Sequence, residues 1–91
     1  MTTETTIDFR KVEVIRERLG LSTRHMAQLL DVSRPTYYKW VAGGAIRSGN
    51  HRRIVGLLRE ILPLLRSGAW PPEGVRQLSP TQRFEALLAV L

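Results

Sequence analysis

Apolar positions along this chain recur at three-to-four spacing in successive runs, and no stretch of useful length alternates with the two-residue period of a half-buried strand. In the first run Phe9, Val12, Ile15 or the stem of Arg16, and Leu19 share one face, which predicts a helix from about Asp8 to Leu19. Thr6 or Asp8 can cap its start and Gly20 ends it. A second helix opens after Ser22, a good N-cap. It buries Met26, Leu29 and Leu30, with Ala27 where close packing is needed. The residues Asp31-Val32-Ser33 then separate it from a third helix over about Arg34–Ala42. Ser33 is the expected cap of that helix, and Pro35 is tolerated in a first turn where its missing N–H has no partner anyway. Gly43 or Gly44 closes it in a left-handed turn.

The loop Gly44 to Gly49 leads to a fourth helix, capped by Asn50 and running from about His51 to Arg66. Pro63 predicts a kink or break near Leu62, because proline removes a hydrogen bond and crowds the carbonyl four residues back. Residues 67–78 read as an ordered loop pinned by Trp70. A last helix starts after Ser79, with Pro80 first and Phe84, Leu87, Leu88 and Leu91 on one face. The expected class is all-α, with four or five helices. Its parts are a flexible N-terminus at 1–6, a compact unit at 7–66, and a loop plus C-terminal helix at 67–91.

Charge sharpens this picture. The net charge is +6, from 14 Lys and Arg against 8 Asp and Glu. No acid lies between Asp31 and Glu60, yet that span holds Arg34, Lys39, Arg47, Arg52, Arg53 and Arg59. The rest of the chain is balanced. A focused excess of this kind is the footprint of a polyanionic partner.

Composition removes other classes. With 91 residues the chain holds one domain, and 43% apolar residues suit a folded globule. There is no cysteine, so disulfides and thiolate chemistry are out. His25 and His51 have no ligand spacing, and no cofactor or metal is expected. No phosphate-binding glycine loop and no paired carboxylates on one helix face point to an enzyme. No apolar run spans a membrane and the first residues lack the order of a signal peptide, so a cytoplasmic location is expected.

The strongest pattern is the central one. Two short helices joined by a three-residue turn let one helix lie in a groove while the other braces it. Ala27 suits the close crossing, Val32 the apolar turn position, and Tyr37 and Trp40 the inward face of the third helix. Its outward face carries Arg34, Pro35, Tyr38 and Lys39, with Thr36 at the margin. The segment LGLSTRHMAQLLDVSRPTYYKWVAGG resembles the helix-turn-helix of the phage-repressor and Cro superfamily. The matching features are Leu21-Ser22, Met26-Ala27, Leu30-Asp31-Val32-Ser33, and Trp40 followed by Gly43, within a core at 21–43. Three departures stand out: Thr23 where many members carry glutamine, Asp31 where many carry glycine, and Pro35, less usual so early in the outward helix.

The resemblance implies a lambda-repressor-like DNA-binding domain with double-stranded DNA as partner. It implies that Arg34 and Lys39 approach base edges or nearby phosphates, that Pro35 and Thr36 meet a thymine methyl, and that Tyr38 donates to a phosphate, with Thr23 and Arg24 at the start of the bracing helix. Independently of family, Arg52 and Arg53 sit at an expected helix start, where cations oppose the helix dipole. A phosphate relieves both, and Arg47, Ser48 and Asn50 extend the same site. The fourth helix is apolar nearly all round. The C-terminal helix either folds back onto it or joins it in a homodimer interface that includes Val55, Leu62, Leu65, Trp70, Phe84, Leu87, Leu88 and Leu91. The functional expectation is a transcriptional regulator repressing by promoter occlusion. The alternative is a DNA-binding antitoxin or phage-type protein that docks a protein partner through this apolar half.

Overall fold

A computed structural model describes residues 7–91. The expected flexible segment 1–6 lies outside the described residues. Among the described residues the regular structure is entirely helical: α1 (Phe9–Leu19), α2 (Thr23–Leu29), α3 (Arg34–Val41), α4 (Ser48–Ser67), α5 (Pro80–Val90), and a short 3-10 turn at Val75–Gln77. None of these helices is long and apolar enough to cross a membrane.

Short polar side chains start four of them. Asp8, Ser22, Ser33 and Ser79 accept the backbone N–H of Arg10, His25, Thr36 and Gln82 respectively. Each bond satisfies a donor that the helix cannot, and is worth about 1 kcal/mol. Gln82 also returns a side-chain bond to the amide of Ser79, closing a capping box.

The first three helices end on one device. Gly20, Asp31 and Gly43 adopt left-handed φ values of 75°, 57° and 96°. Each left-handed residue and its successor then bond back to the helix. Gly20 and Leu21 reach the carbonyls of Glu17 and Arg16, Asp31 and Val32 those of Gln28 and Ala27, and Gly43 and Gly44 those of Trp40 and Lys39. This paired closure satisfies two terminal carbonyls and reverses the chain in the fewest residues.

The reversals stack α3 against both α1 and α2. Phe9 meets Tyr37 edge-on at 5.1 Å and Trp40 at 5.5 Å. Val12, Leu19, Leu21, Met26, Ala27 and Leu30 complete this corner, and Ile54 and Ile61 of α4 close it. Tyr37 is wholly buried, and its hydroxyl donates to the Glu13 carboxylate. Arg16 binds the same carboxylate at 3.1 Å and donates to the Leu21 carbonyl at 2.8 Å. Burial pushes the Glu13 carboxyl up, but the hydrogen bonds from Arg16 and Tyr37 outweigh it and leave the pKa below the usual 4.5. Burial, with the Glu13 hydrogen bond second, raises the Tyr37 phenol above its usual range.

Three expectations about the second half need correction. First, α4 begins at Ser48 with Arg47 as its N-cap residue, so Asn50 lies inside the helix and does not cap it. Second, α4 runs unbroken through Pro63. Pro63 and Arg59 are both exposed, so water can serve the carbonyl that proline leaves without a partner. Third, the C-terminal segment folds onto the α1–α2 corner. The Trp70 indole N–H donates to the Leu19 carbonyl at 3.1 Å. Arg83 donates to the carbonyls of Gly20, Val75 and Arg76. Phe84 stacks on His25 at 4.7 Å, and Leu87 is fully buried. Trp70 and Leu87, expected at a partner interface, are therefore consumed by the core of their own protomer. Leu65 and Phe84 also pack against that core.

Tyr37→Phe is expected to cost about 1–3 kcal/mol in urea denaturation, because it leaves a part-buried carboxylate short of a donor. Since the folded-state pKa of Glu13 is depressed, its contribution is complete above pH 4.5 and is lost as pH falls through the folded-state value. Glu13→Gln is expected to flatten the acid limb of stability against pH below that point; an unchanged acid limb refutes the assignment.

Candidate nucleic-acid interface

The α2–α3 pair presents one helix outward. On α3, Tyr37 and Trp40 face the core, which by helical periodicity turns Arg34, Pro35, Tyr38 and Lys39 to solvent, and all four are exposed. Thr36 is half-buried. Its hydroxyl lies 2.9 Å from the Ser33 hydroxyl, so it belongs to the helix cap. From α2, Arg24 is exposed beside Thr23, and the Thr23 hydroxyl lies 3.0 Å from that of Tyr38. This bond ties the outer edges of the two helices together.

The C-terminal end of α3 is sharply shaped. A Cβ on Gly44 would lie 2.6 Å from Lys39 Cγ and 2.8 Å from the Lys39 carbonyl oxygen. Only glycine lets the chain pass that close, and its passage packs the stem of Lys39.

At the start of α4, Arg47 and Ser48 are exposed, and no side chain caps the first turn. Asn50 is half-buried. Arg52 is exposed, one turn inside the helix and not at its first residue. Arg53 departs from the expected phosphate role. Its Nη1 donates to the carbonyls of Leu30 and Asp31 at 3.4 and 3.3 Å and lies 3.7 Å from the Asp31 carboxylate. The guanidinium thus closes the end of α2 and braces the turn. That role was invisible because Arg53 and Asp31 are 22 residues apart.

Among the described residues, Arg34, Lys39, Arg47 and Arg52 form no ion pair. The ion pairs are drawn from Arg10, Arg16 and Arg53. The acid-free span therefore keeps cations on α3 and at the start of α4 without internal neutralisation.

The expected partner-facing residues divide. Leu88 and Leu91 are 49% and 39% exposed, and Val90, not foreseen, is 56% exposed. Val55 and Leu62 are half-buried. A shallow groove lined by Leu29, Val32, Phe84 and Leu88 runs between the α2–α3 turn and α5.

Comparison with known protein families gives no match, and none is found among curated proteins or solved structures.

Arg53→Ala is expected to lower stability by about 1 kcal/mol, the net worth of its hydrogen bonds to the turn. Gly44→Ala is expected to cost more, because its clash is with backbone and the α3 closure must open. Equal melting temperatures for wild type and Gly44→Ala in thermal denaturation refute the second.

Proposed function

We propose that this chain is a sequence-specific double-stranded DNA-binding protein of lambda-repressor-like type, acting as a transcriptional repressor by occluding a promoter. The observation that carries this reading is the outward face of α3. It is exposed and cationic, free of ion pairs, and carried on a helix whose inward side is fixed by Tyr37 and Trp40. A helix held this way enters a major groove without first reorganising. Arg34 and Lys39 meet base edges or adjacent phosphates, and Arg24 with Thr23 meets the backbone beside them. The uncapped amides at the start of α4, with Arg47, Ser48 and Arg52, suit a second phosphate.

Such proteins read two half-sites one helical turn apart, so the active species is proposed to be a homodimer. The exposed Leu88 and Val90 on α5, with Leu91 just after it, support an apolar contact there. The same residues favour the second reading, a DNA-binding antitoxin or phage-type protein with a protein partner. Equimolar copurification of another protein through α5 separates that reading from the first.

The test is selection of binding sites from a random duplex library followed by titration at several salt concentrations. Log affinity is expected to fall with log salt at a slope of about −0.9 per phosphate neutralised. Arg34→Ala is expected to relax preference at particular base pairs, whereas Arg52→Ala weakens all duplexes alike and makes the slope shallower by about one. A flat salt response, or no enriched site, defeats the proposal.

A further inference from the structure

The helix α4 carries a second cationic surface along its length. It is continuous from Ser48 to Ser67, so residues seven apart return to nearly the same face. Ile54 and Ile61 are buried on one side. On the opposite side Arg52, Arg59 and Arg66, also seven apart, are all exposed. They stand in a row, about 10.5 Å from one to the next along the axis. Among the described residues none of the three forms an ion pair. Gly56 and Pro63 lie between them on the same row, and both are exposed. A Cβ on Gly56 would meet nothing within 4 Å, and its φ is not left-handed, so the fold does not require glycine there. Both residue types weaken a helix interior. What they leave is a low surface between three long cations, which solubility alone does not call for. Pro63, lacking an N–H, also leaves the Arg59 carbonyl free to accept. Beside the row run Val55 and Leu62, again seven apart. Both are half-buried, and both are outside the apolar residues that build or flank the core.

These features specify an occupant. A row of cations calls for anions at the same repeat. Seven residues are two turns of helix, so the simplest complement is a second helix laid alongside. Its acids meet the arginines, its neighbouring apolar residues meet Val55 and Leu62, and Gly56 and Pro63 let it come close. A phosphate backbone matches the charge but offers nothing to Val55 and Leu62. A second copy of this chain does not fit. No two of its 8 acids are seven residues apart, and its own α4 would set arginine against arginine. We infer that the exposed face of α4 docks an acidic amphipathic helix of another protein, gripped by Arg59 and Arg66 with Arg52 at one end. The inference goes beyond the DNA-binding reading and shares only Arg52 with it.

The experiment uses the full chain and a labelled synthetic peptide three heptads long, with leucine at the two seam positions and glutamate at the two flanking ones. Its glutamates repel its own copies, so it stays single until it meets a basic helix. A matched peptide carries glutamine in place of glutamate. Fluorescence anisotropy is expected to show saturable binding of the glutamate peptide that weakens as salt rises, and about tenfold weaker binding of the glutamine peptide. Arg59→Glu combined with Arg66→Glu is expected to weaken the glutamate peptide by about tenfold or more, and a lysine version of the peptide regains binding to that variant. Gly56→Gln is expected to raise the melting temperature and yet weaken the peptide, which a glycine of purely structural value would not do. Circular dichroism confirms that the variants are folded. No saturable binding of the glutamate peptide overturns the inference, as does equal affinity for the two peptides or an undiminished affinity of the double variant. If the double variant loses as much affinity for a selected duplex as for the peptide, the row belongs to nucleic acid and the inference also fails. Absence of salt-sensitive binding to any duplex defeats the DNA-binding reading alone.

Discussion

The rotation of α3 about its own axis is fixed by one buried contact, and the rest of the arrangement depends on it. Tyr37 carries a phenol into a site with no solvent exposure, where its hydroxyl must find a partner or cost several kcal/mol. Glu13 of α1 supplies that partner, and Arg16 neutralises Glu13 while holding the Leu21 carbonyl at the α1–α2 corner. Two helices, and the turn that leads into a third, are thus pinned by one chain of charge-assisted hydrogen bonds. Phe9 then packs edge-on against Tyr37 and Trp40 and seals the chain from water. Because Tyr37 and Trp40 can point only inward, Arg34, Pro35, Tyr38 and Lys39 are obliged to point outward. The composition of the exposed face follows from the composition of the buried one.

A second layer of order holds the turn. Asp31 takes a left-handed φ of 57°, which costs an L side chain more than it costs glycine. Arg53 offsets part of that cost from across the fold by bonding the carbonyls of Leu30 and Asp31. The basic residue that composition alone assigned to a nucleic acid is thereby tied to protein. The cationic surface is narrower than the count of charges in the acid-free span suggests. It is also better defined, because the remaining cations on α3 and at the start of α4 are uncommitted.

Local chemistry made the first half of the molecule legible. Serine and aspartate caps, a glycine or aspartate at each reversal, and the inward placing of Tyr37 and Trp40 are all decided within a few residues of where they act. The second half was less so, because its determinants are distant in sequence. The Trp70 bond to Leu19 spans 51 residues and the Arg83 bond to Gly20 spans 63. Neither leaves a mark on local periodicity. The apolar stripe of α5 was visible, but not which surface it covers, and so Leu87 was assigned outside the core it belongs to. Pro63 failed to break α4 for a related reason. Propensity registers the lost hydrogen bond but not that the orphaned carbonyl sits on a wet side of the helix. His25 was judged only as a metal ligand, whereas its value is as a flat surface under Phe84.

The donors that Trp70 and Arg83 aim at Leu19 and Gly20 have a consequence for how the molecule comes into being. The carbonyls of Leu19 and Gly20, at the corner between α1 and α2, accept from side chains 51 and 63 residues further along the chain. The first helices can pair through local contacts alone, but their shared edge stays wet until the segment carrying Trp70 and α5 docks on it. Closing so large a loop costs more chain entropy than forming the helices it joins, so the seal is the least local part of the fold.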